Sequence, residues 1–404
     1  MLFSKNLPAG AFASALLAFA ISAAPASSQT LRDFVEAAAS RNPELLGLNG
    51  RRNAINARQF AADAITPGAP TLTGSYLTDQ VLRDRRQREA QIGISTPVWL
   101  LGEGSASRRV ADAELTRSTA QTAAARLKIA GSVREGLAEF ALAQTEQRLA
   151  ERRLRDAKSL EADVARKAAA REASEADVLL ARAERLAADG ELQERIVASK
   201  QSKLEFETLT GMAPVLAALK ETLPSSTATP HPKLGDARGA VDVARANTSL
   251  AEIQTRENPE IGVIARHSRD TLGNFYNNSI GIELRIPLST EARNRPRQAA
   301  AQAELTEATA GFSAVERDVA LEQQKARLAY DNSMTQRDLA VERSKVLARQ
   351  NGLIARSFQG GQTSLFDTIR ARTVAYEAET ASARAEIGVL KARGRLNQAF
   401  GVMP

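Results

Sequence analysis

Apolar positions along this chain keep two different periods, and the switches between them divide it into elements. Leu127, Ala130, Val133, Leu137, Phe140 and Ala141 recur every three or four residues, the spacing of one helix face. They lie in a stretch from about Ser105 to about Arg166 that holds no proline and only two glycines, Gly131 and Gly136, which predicts one uninterrupted helix. Residues 31–64 are helical by composition and are stopped by Thr66-Pro67-Gly68. Past a turn at 167–173, Ser174 opens a last helix to about Thr210, with Asp177 completing a Ser-x-x-Asp capping box. Between the first helix and the long one the period falls to two, predicting strands near 70–80 and 88–98. In the second strand Ala90, Ile92, Ile94, Thr96 and Val98 share one face, with Glu89, Gln91, Gly93 and Ser95 on the other.

The same order of elements occurs twice. Asn42-Pro43-Glu44-Leu45 answers His231-Pro232-Lys233-Leu234, Pro70 answers Pro259, and Pro97 answers Pro287, all at a spacing of about 190 residues. Glu114, Leu115, Thr116 and Thr119 recur as Glu304, Leu305, Thr306 and Thr309. Ser174, Asp177, Ala181, Arg182 and Gly211 recur as Ser364, Asp367, Ala371, Arg372 and Gly401. Alanine matches follow from composition, but prolines, glycines and polar residues holding one offset indicate a duplication. The second copy has strands near 259–267 and 278–287, a long helix from about Pro296 to Phe358, a Gly360-Gly361 turn and a last helix from Ser364. In its second strand Ile280, Ile282, Leu284 and Ile286 alternate against Ser279, Gly281, Glu283 and Arg285. The expected organisation is a first repeat at 27–213, a linker at 214–232 and a second repeat at 233–404.

The N-terminus sets the expected compartment. Lys5 precedes an apolar run from Ala9 to Ala23 that ends in Ala24-Pro25-Ala26, so residues 1–26 read as a signal peptide. No later apolar run is long enough to cross a bilayer as a helix, and a membrane role would need strands or a surface helix. The chain has no cysteine, which removes disulfides and thiolate chemistry. Its two histidines, His231 and His267, read as surface residues and leave little for a metal or acid–base site. Glu135 and Glu139, four apart on a charged helix, read as a solvated pair rather than a catalytic one. A net charge of +7 is dispersed among acidic residues without aromatic stripes, so no nucleic-acid surface is expected. No cofactor and no enzymatic activity are expected.

Each alternating strand is close to the roughly 9 to 11 residues that a tilted strand needs to cross a bilayer. A soluble sheet with one buried face would alternate in the same way. Four strands cannot close a barrel alone, however, and open edges in hydrocarbon leave backbone groups unsatisfied. Three chains would supply twelve strands, an even number. The long helix, at about 1.5 Å per residue, would span roughly 90 Å, and its two shorter neighbours stacked end to end would match it. The fold class expected is mainly α with a small β part: long helical hairpins forming an α-barrel, plus four strands per chain in a trimeric transmembrane β-barrel.

This duplicated plan, the strand Gly281-Ile282-Glu283-Leu284-Arg285-Ile286-Pro287-Leu288, and the segment Gly361-Gln362-Thr363-Ser364-Leu365-Phe366-Asp367 closing on Ala371-Arg372 resemble the TolC family of outer-membrane efflux proteins. The resemblance covers nearly all of the chain after residue 26. It implies a homotrimer in outer-membrane lipid with a large periplasmic part, docked at its tip to a periplasmic adaptor and, through it, to an inner-membrane pump of the RND or ABC type. The function implied is a passive duct of a tripartite efflux system. A type I protein secretion duct, or a soluble periplasmic coiled-coil scaffold or adaptor, are the alternatives, and drugs, metal ions or proteins remain open as cargo.

The candidate site residues fall in three places. Glu89, Gln91, Glu283 and Arg285 are expected to face the barrel lumen. Lys167, Arg171, Gly360, Gly361, Thr363 and Ser364 are expected at the adaptor-docking tips. The resemblance assigns the periplasmic aperture to Asp367, with Arg370 where a second acid often stands and Thr363 where some members carry a gate-locking Arg. Asp367 also has the simpler role of capping its helix with Ser364.

Overall fold

Local chemistry sets each helix end. The computed structural model describes residues 29–81, 87–224, 230–271 and 273–404, so the signal-peptide reading lies outside the described residues. Thr30 and Asp33 form a capping box at the start of α1 (Leu31–Arg41). The expected single helix over 31–64 is two: Pro43 cannot continue α1, and Asn42 Oδ1 accepts from the N–H groups of Glu44 and Leu45, at 2.9 and 3.3 Å, to open α2 (Pro43–Ala62). Strands β1 (Thr71–Thr78) and β2 (Arg88–Pro97) follow. Helix α3 (Glu103–Ala169) leaves Gly102, whose φ of +83° lies in the left-handed region. Helix α4 (Glu175–Thr210) has the expected Ser174–Asp177 capping box and ends on Gly211.

The second copy repeats the plan with α5 (Pro232–Ile253), β3 (Glu260–Arg269), β4 (Asn277–Arg285), α6 (Glu291–Gln359) and α7 (Leu365–Ala399). Helix α6 starts a turn before the expected Pro296, which therefore lies inside the helix, past the first four N–H groups, and leaves the Ala292 carbonyl without its usual i→i−4 donor.

Two layers of pairing result. Near the sheet the order across the molecule is α2, α3, α5, α6; at the opposite end it is α4, α3, α7, α6. Helix α3 is therefore central along its whole length, and it buries far more of its surface than α6, whose only buried residues are Ala301 and Val319. The main core sits where the short helices meet end to end beside α3, with Phe34 of α1 packed edge-on against Phe206 of α4 at 5.1 Å between ring centres.

The linker is more ordered than expected. Leu216–Leu219 forms a 3-10 turn, and Ala218 and Leu219 enter the main core. Glu221 accepts from Arg134 and from Asn397, tying the connector to both repeats. His231 is also not a surface residue: it is 5% exposed and caps α5, its Nδ1 accepting from the Lys233 N–H at 3.2 Å. Burial, with Lys233 beside it, holds its imidazole below the ordinary value despite the opposing influence of Glu322. The neutral ring is thus the folded form. Stability should be fully present above about pH 6.5, where both states are neutral, and should fall as pH drops through the folded value, because the unfolded chain binds the proton first. Urea midpoints measured between about pH 7.5 and 5 check this, and His231→Asn should flatten the slope.

Candidate functional site

The sheet has the order β1-β2-β3-β4, antiparallel throughout, so β1 and β4 are both edges. The register makes the two faces continuous across all four strands. Leu72 lies opposite Ile94, Ile94 opposite Val263, and Val263 opposite Ile282, all on one face. Those side chains are largely uncovered, with Ile282 83% exposed. Gln91 lies opposite Arg266, and Arg266 opposite Ser279, on the other face.

The four residues expected to share the polar face do share it. Glu89 is ion-paired with Arg266 at 2.9 Å, and Gln91 Oε1 accepts from the same guanidinium at 3.3 Å. Arg285 lies opposite Glu260, and Glu283 opposite Gly262. Arg266 and Glu260 are polar-face residues that the sequence reading missed, although their alternation with Val263 and Ala265 was available. Glu260 accepts from the Ser95 hydroxyl at 3.1 Å. The polar face is also the crowded one: a Cβ on Gly93 would lie 2.9 Å from Ile264 and Thr73, and one on Gly262 2.9 Å from the Ile94 carbonyl. A sheet with bulk on its apolar face and glycines on its polar face curls toward the polar side. At the helix junction, buried Glu103 accepts from the Leu100 N–H, Gln254 and Asn258, and so fixes the exit of β2 to the entrance of β3.

At the far end the two helical hairpins turn side by side. Lys167 donates to the Phe358 carbonyl at 3.0 Å and stands over that ring at 4.3 Å, joining the end of α3 to the end of α6. Arg171 takes a left-handed φ of +63° in the first turn, where the second turn uses Gly361 at +74°. The Thr363 hydroxyl donates to Ser357 at 2.7 Å, and Gly360 closes the end of α6. Ser364 accepts from the Asp367 N–H at 3.1 Å and donates to its carboxylate at 2.7 Å, the capping geometry. Asp367 and Arg370 are both exposed, and no ion pair joins them.

Between the tip and the core, Arg153 of α3 bridges Glu184 and Glu191 of α4 at 2.9 and 2.6 Å, while Tyr376 of α7 donates to Glu191 at 2.9 Å. Burial and the Glu191 carboxylate push the Tyr376 hydroxyl up to about 12, so it remains a donor at any physiological pH. Glu135 is not a free solvated carboxylate either: it binds Lys391 and Arg395 of α7, and Glu139 lies 3.8 Å from Lys391. These are ties between hairpins rather than proton-transfer groups. Among the described residues no cluster of His, Asp and Glu could hold a metal ion, and no helix is long and apolar enough to cross a membrane.

Comparison with known proteins adds two findings. The family model of the outer membrane efflux proteins matches residues 223–402, the second repeat with the end of the connector. Solved structures match nearly the whole chain. The outer membrane protein VceC of Vibrio cholerae aligns with a TM-score of 0.74 at 19% identity, over 92% of this chain and 96% of that one. The Campylobacter jejuni outer membrane channel CmeC gives 0.72 at 16%, over 98% and 94%. The open-state Neisseria gonorrhoeae outer membrane channel MtrE gives 0.68 at 17%, over 92% and 89%. No curated protein matches the chain in sequence.

Proposed function

We propose that this chain, whose residues 223–402 match the outer membrane efflux protein family and whose fold is that of outer-membrane channels, is one protomer of a trimeric efflux duct. The observation that carries the reading is a four-stranded sheet with one exposed apolar face, one polar face and two unpaired edges. In hydrocarbon the apolar face is satisfied by lipid, but each unpaired edge group costs several kcal/mol. Pairing β1 of one protomer with β4 of the next removes both edges, and three copies close a barrel of twelve strands. Its lumen is then lined by Glu89, Gln91, Glu283 and Arg285, with Glu260 and Arg266, a wet wall for polar cargo. The chain supplies conduit and wall, and the driving force comes from an inner-membrane pump through a periplasmic adaptor seated on the hairpin tips around Lys167, Arg171, Gly360, Gly361, Thr363 and Ser364.

Threefold symmetry around the tip gathers three Asp367 and three Arg370 side chains into adjacent rings at the entrance, where their charges set ion preference. The experiment joins location to conduction. The protein should remain in the outer-membrane fraction after a high-salt wash, weigh three chains in mild detergent, and conduct in a planar bilayer, with Asp367→Asn shifting the cation preference. A soluble monomer would overturn the duct, whereas a conducting trimer indifferent to Asp367→Asn would leave that residue only a helix cap.

A further inference from the structure

The apolar face of the sheet becomes basic at one end only. Counted along the four strands, that face carries no carboxylate, and its only basic side chains are Arg88, His267 and Arg269. All three stand at the end where the hairpin turns lie, away from the helices. Arg88 is directly opposite Arg269, and one step nearer the middle Ala90 lies between Tyr76 and His267. Tyr276, just before β4, stacks on His267 at 4.3 Å between ring centres, and the Arg269 guanidinium lies over its ring at 4.8 Å. His267 Nδ1 is 2.6 Å from Asn278 Oδ1, which fixes the imidazole edge-on to β4. Asp79 and Asp270 come after the ends of β1 and β3, and Asp79 accepts from the Gln87 N–H at 2.9 Å.

Like charges directly opposite each other destabilise a pair of strands, and a cation on a lipid-facing surface is costly except near the interface. Height resolves the second cost. Val98 and Arg88 are ten positions apart on one face. At about 3.4 Å per residue and a tilt of about 45°, Arg88 stands about 24 Å from Val98, the full height of an apolar band of about 25 Å. The basic patch is therefore level with lipid head groups, not with acyl chains. Tyr76 and Tyr276 beside it, and Trp99 just past Val98, mark the two rims as aromatic belts do. An anion between the two guanidinium groups resolves the first cost, and the planar fork of each matches the oxygens of a phosphate.

We infer that Arg88 and Arg269, with His267 beside them, hold a phosphate of an outer-leaflet lipid built on a phosphorylated saccharide, of the lipid A type. Its sugar lies against Tyr76 and Tyr276, and its acyl chains run down the apolar face over Ile92 and Ile280, which are 57% and 82% exposed. The occupant is a lipid and not a free phosphate, because the basic groups border a face that acyl chains cover. The inference rests on the duct reading, which sets the helices on the periplasmic side and the hairpin turns in the outer leaflet.

The trimer, purified in mild detergent and stripped of lipid, should retain added diphosphorylated lipid A when weighed intact. Arg88→Gln with Arg269→Gln should weaken retention by about tenfold for each guanidinium removed. Arg88→Lys with Arg269→Lys, which keeps both charges, should fall between; a loss as complete as that of the glutamine pair would show a disturbed hairpin and overturn the assignment. Lipid A freed of its phosphates should bind the unaltered trimer as weakly as intact lipid A binds the glutamine pair. Undiminished retention by a glutamine pair that still weighs three chains would overturn the site while leaving the duct standing. Displacement by inorganic phosphate, or equal retention of phosphatidylglycerol, would overturn lipid A as the occupant. A chain that fractionates as a soluble protein would overturn the duct, and the patch with it.

Discussion

Ile282→Arg should abolish stable insertion of the protein in the outer membrane. Ile282 is at the middle of β4, opposite Val263, and 83% of its surface is open on the apolar face. A cationic side chain on the lipid face near the midplane costs about 2 to 4 kcal/mol. A trimer carries the change three times, so the summed cost of about 6 to 12 kcal/mol is comparable to the whole margin of about 5 to 15 kcal/mol of an ordinary folded domain. Glu283→Arg, one residue on, points to the polar face and should assemble normally. The measurement is the amount of trimer in the outer-membrane fraction, compared at equal expression. If Glu283→Arg were lost and Ile282→Arg retained, the faces would be exchanged, since a slip of one residue reverses every side chain of a strand.

Arg134→Ala should give the second large effect, in the helical part. Arg134 is 6% exposed and donates to Glu221 at 2.9 and 3.1 Å, to Gln398 at 2.8 Å and to the Val402 carbonyl at 2.9 Å. It joins α3, the connector and the C-terminus in one knot. Its removal leaves the largely covered Glu221 carboxylate, 12% exposed, without its cation, which in buried pairs costs about 3 to 5 kcal/mol. The urea midpoint of the detergent-solubilised protein should fall accordingly, with an unchanged slope. Arg134→Met with Glu221→Leu, which removes both charges, should recover a large part of the loss. A loss below about 1 kcal/mol for Arg134→Ala would mean that the knot is solvated and does not hold the connector.

The same knot shows where sequence reading reached its limit. The connector over 214–232 reads as a linker because prolines, serines and threonines crowd it, and local composition contains no sign that Glu221 meets Arg134 from nearly ninety positions away. His231 reads as an exposed residue for the same reason; its burial arises from packing against Gly401 at the other end of the repeat. Asn42 was visible to the eye as part of Asn-Pro, but a helix-forming composition on both sides masked the break. Glu135 and Glu139 show their like charge in sequence, whereas the cations that neutralise them, Lys391 and Arg395, come from another repeat.

The faces of the strands, the two capping serines and the glycine stops were all legible from the sequence, because each is decided by residues within a turn or a strand of one another. Ser174 and Asp177 find each other whatever else the chain does, and an alternating strand separates Ile282 from Glu283 by the geometry of the backbone alone. Only the tertiary structure decided which strands pair, that Arg266 and Glu260 join the polar wall, and that α3 is covered on both sides while α4 and α6 keep an open stripe. Those outcomes depend on elements far apart in sequence, and a helix face reads the same in sequence whether or not a neighbouring helix of the fold reaches it.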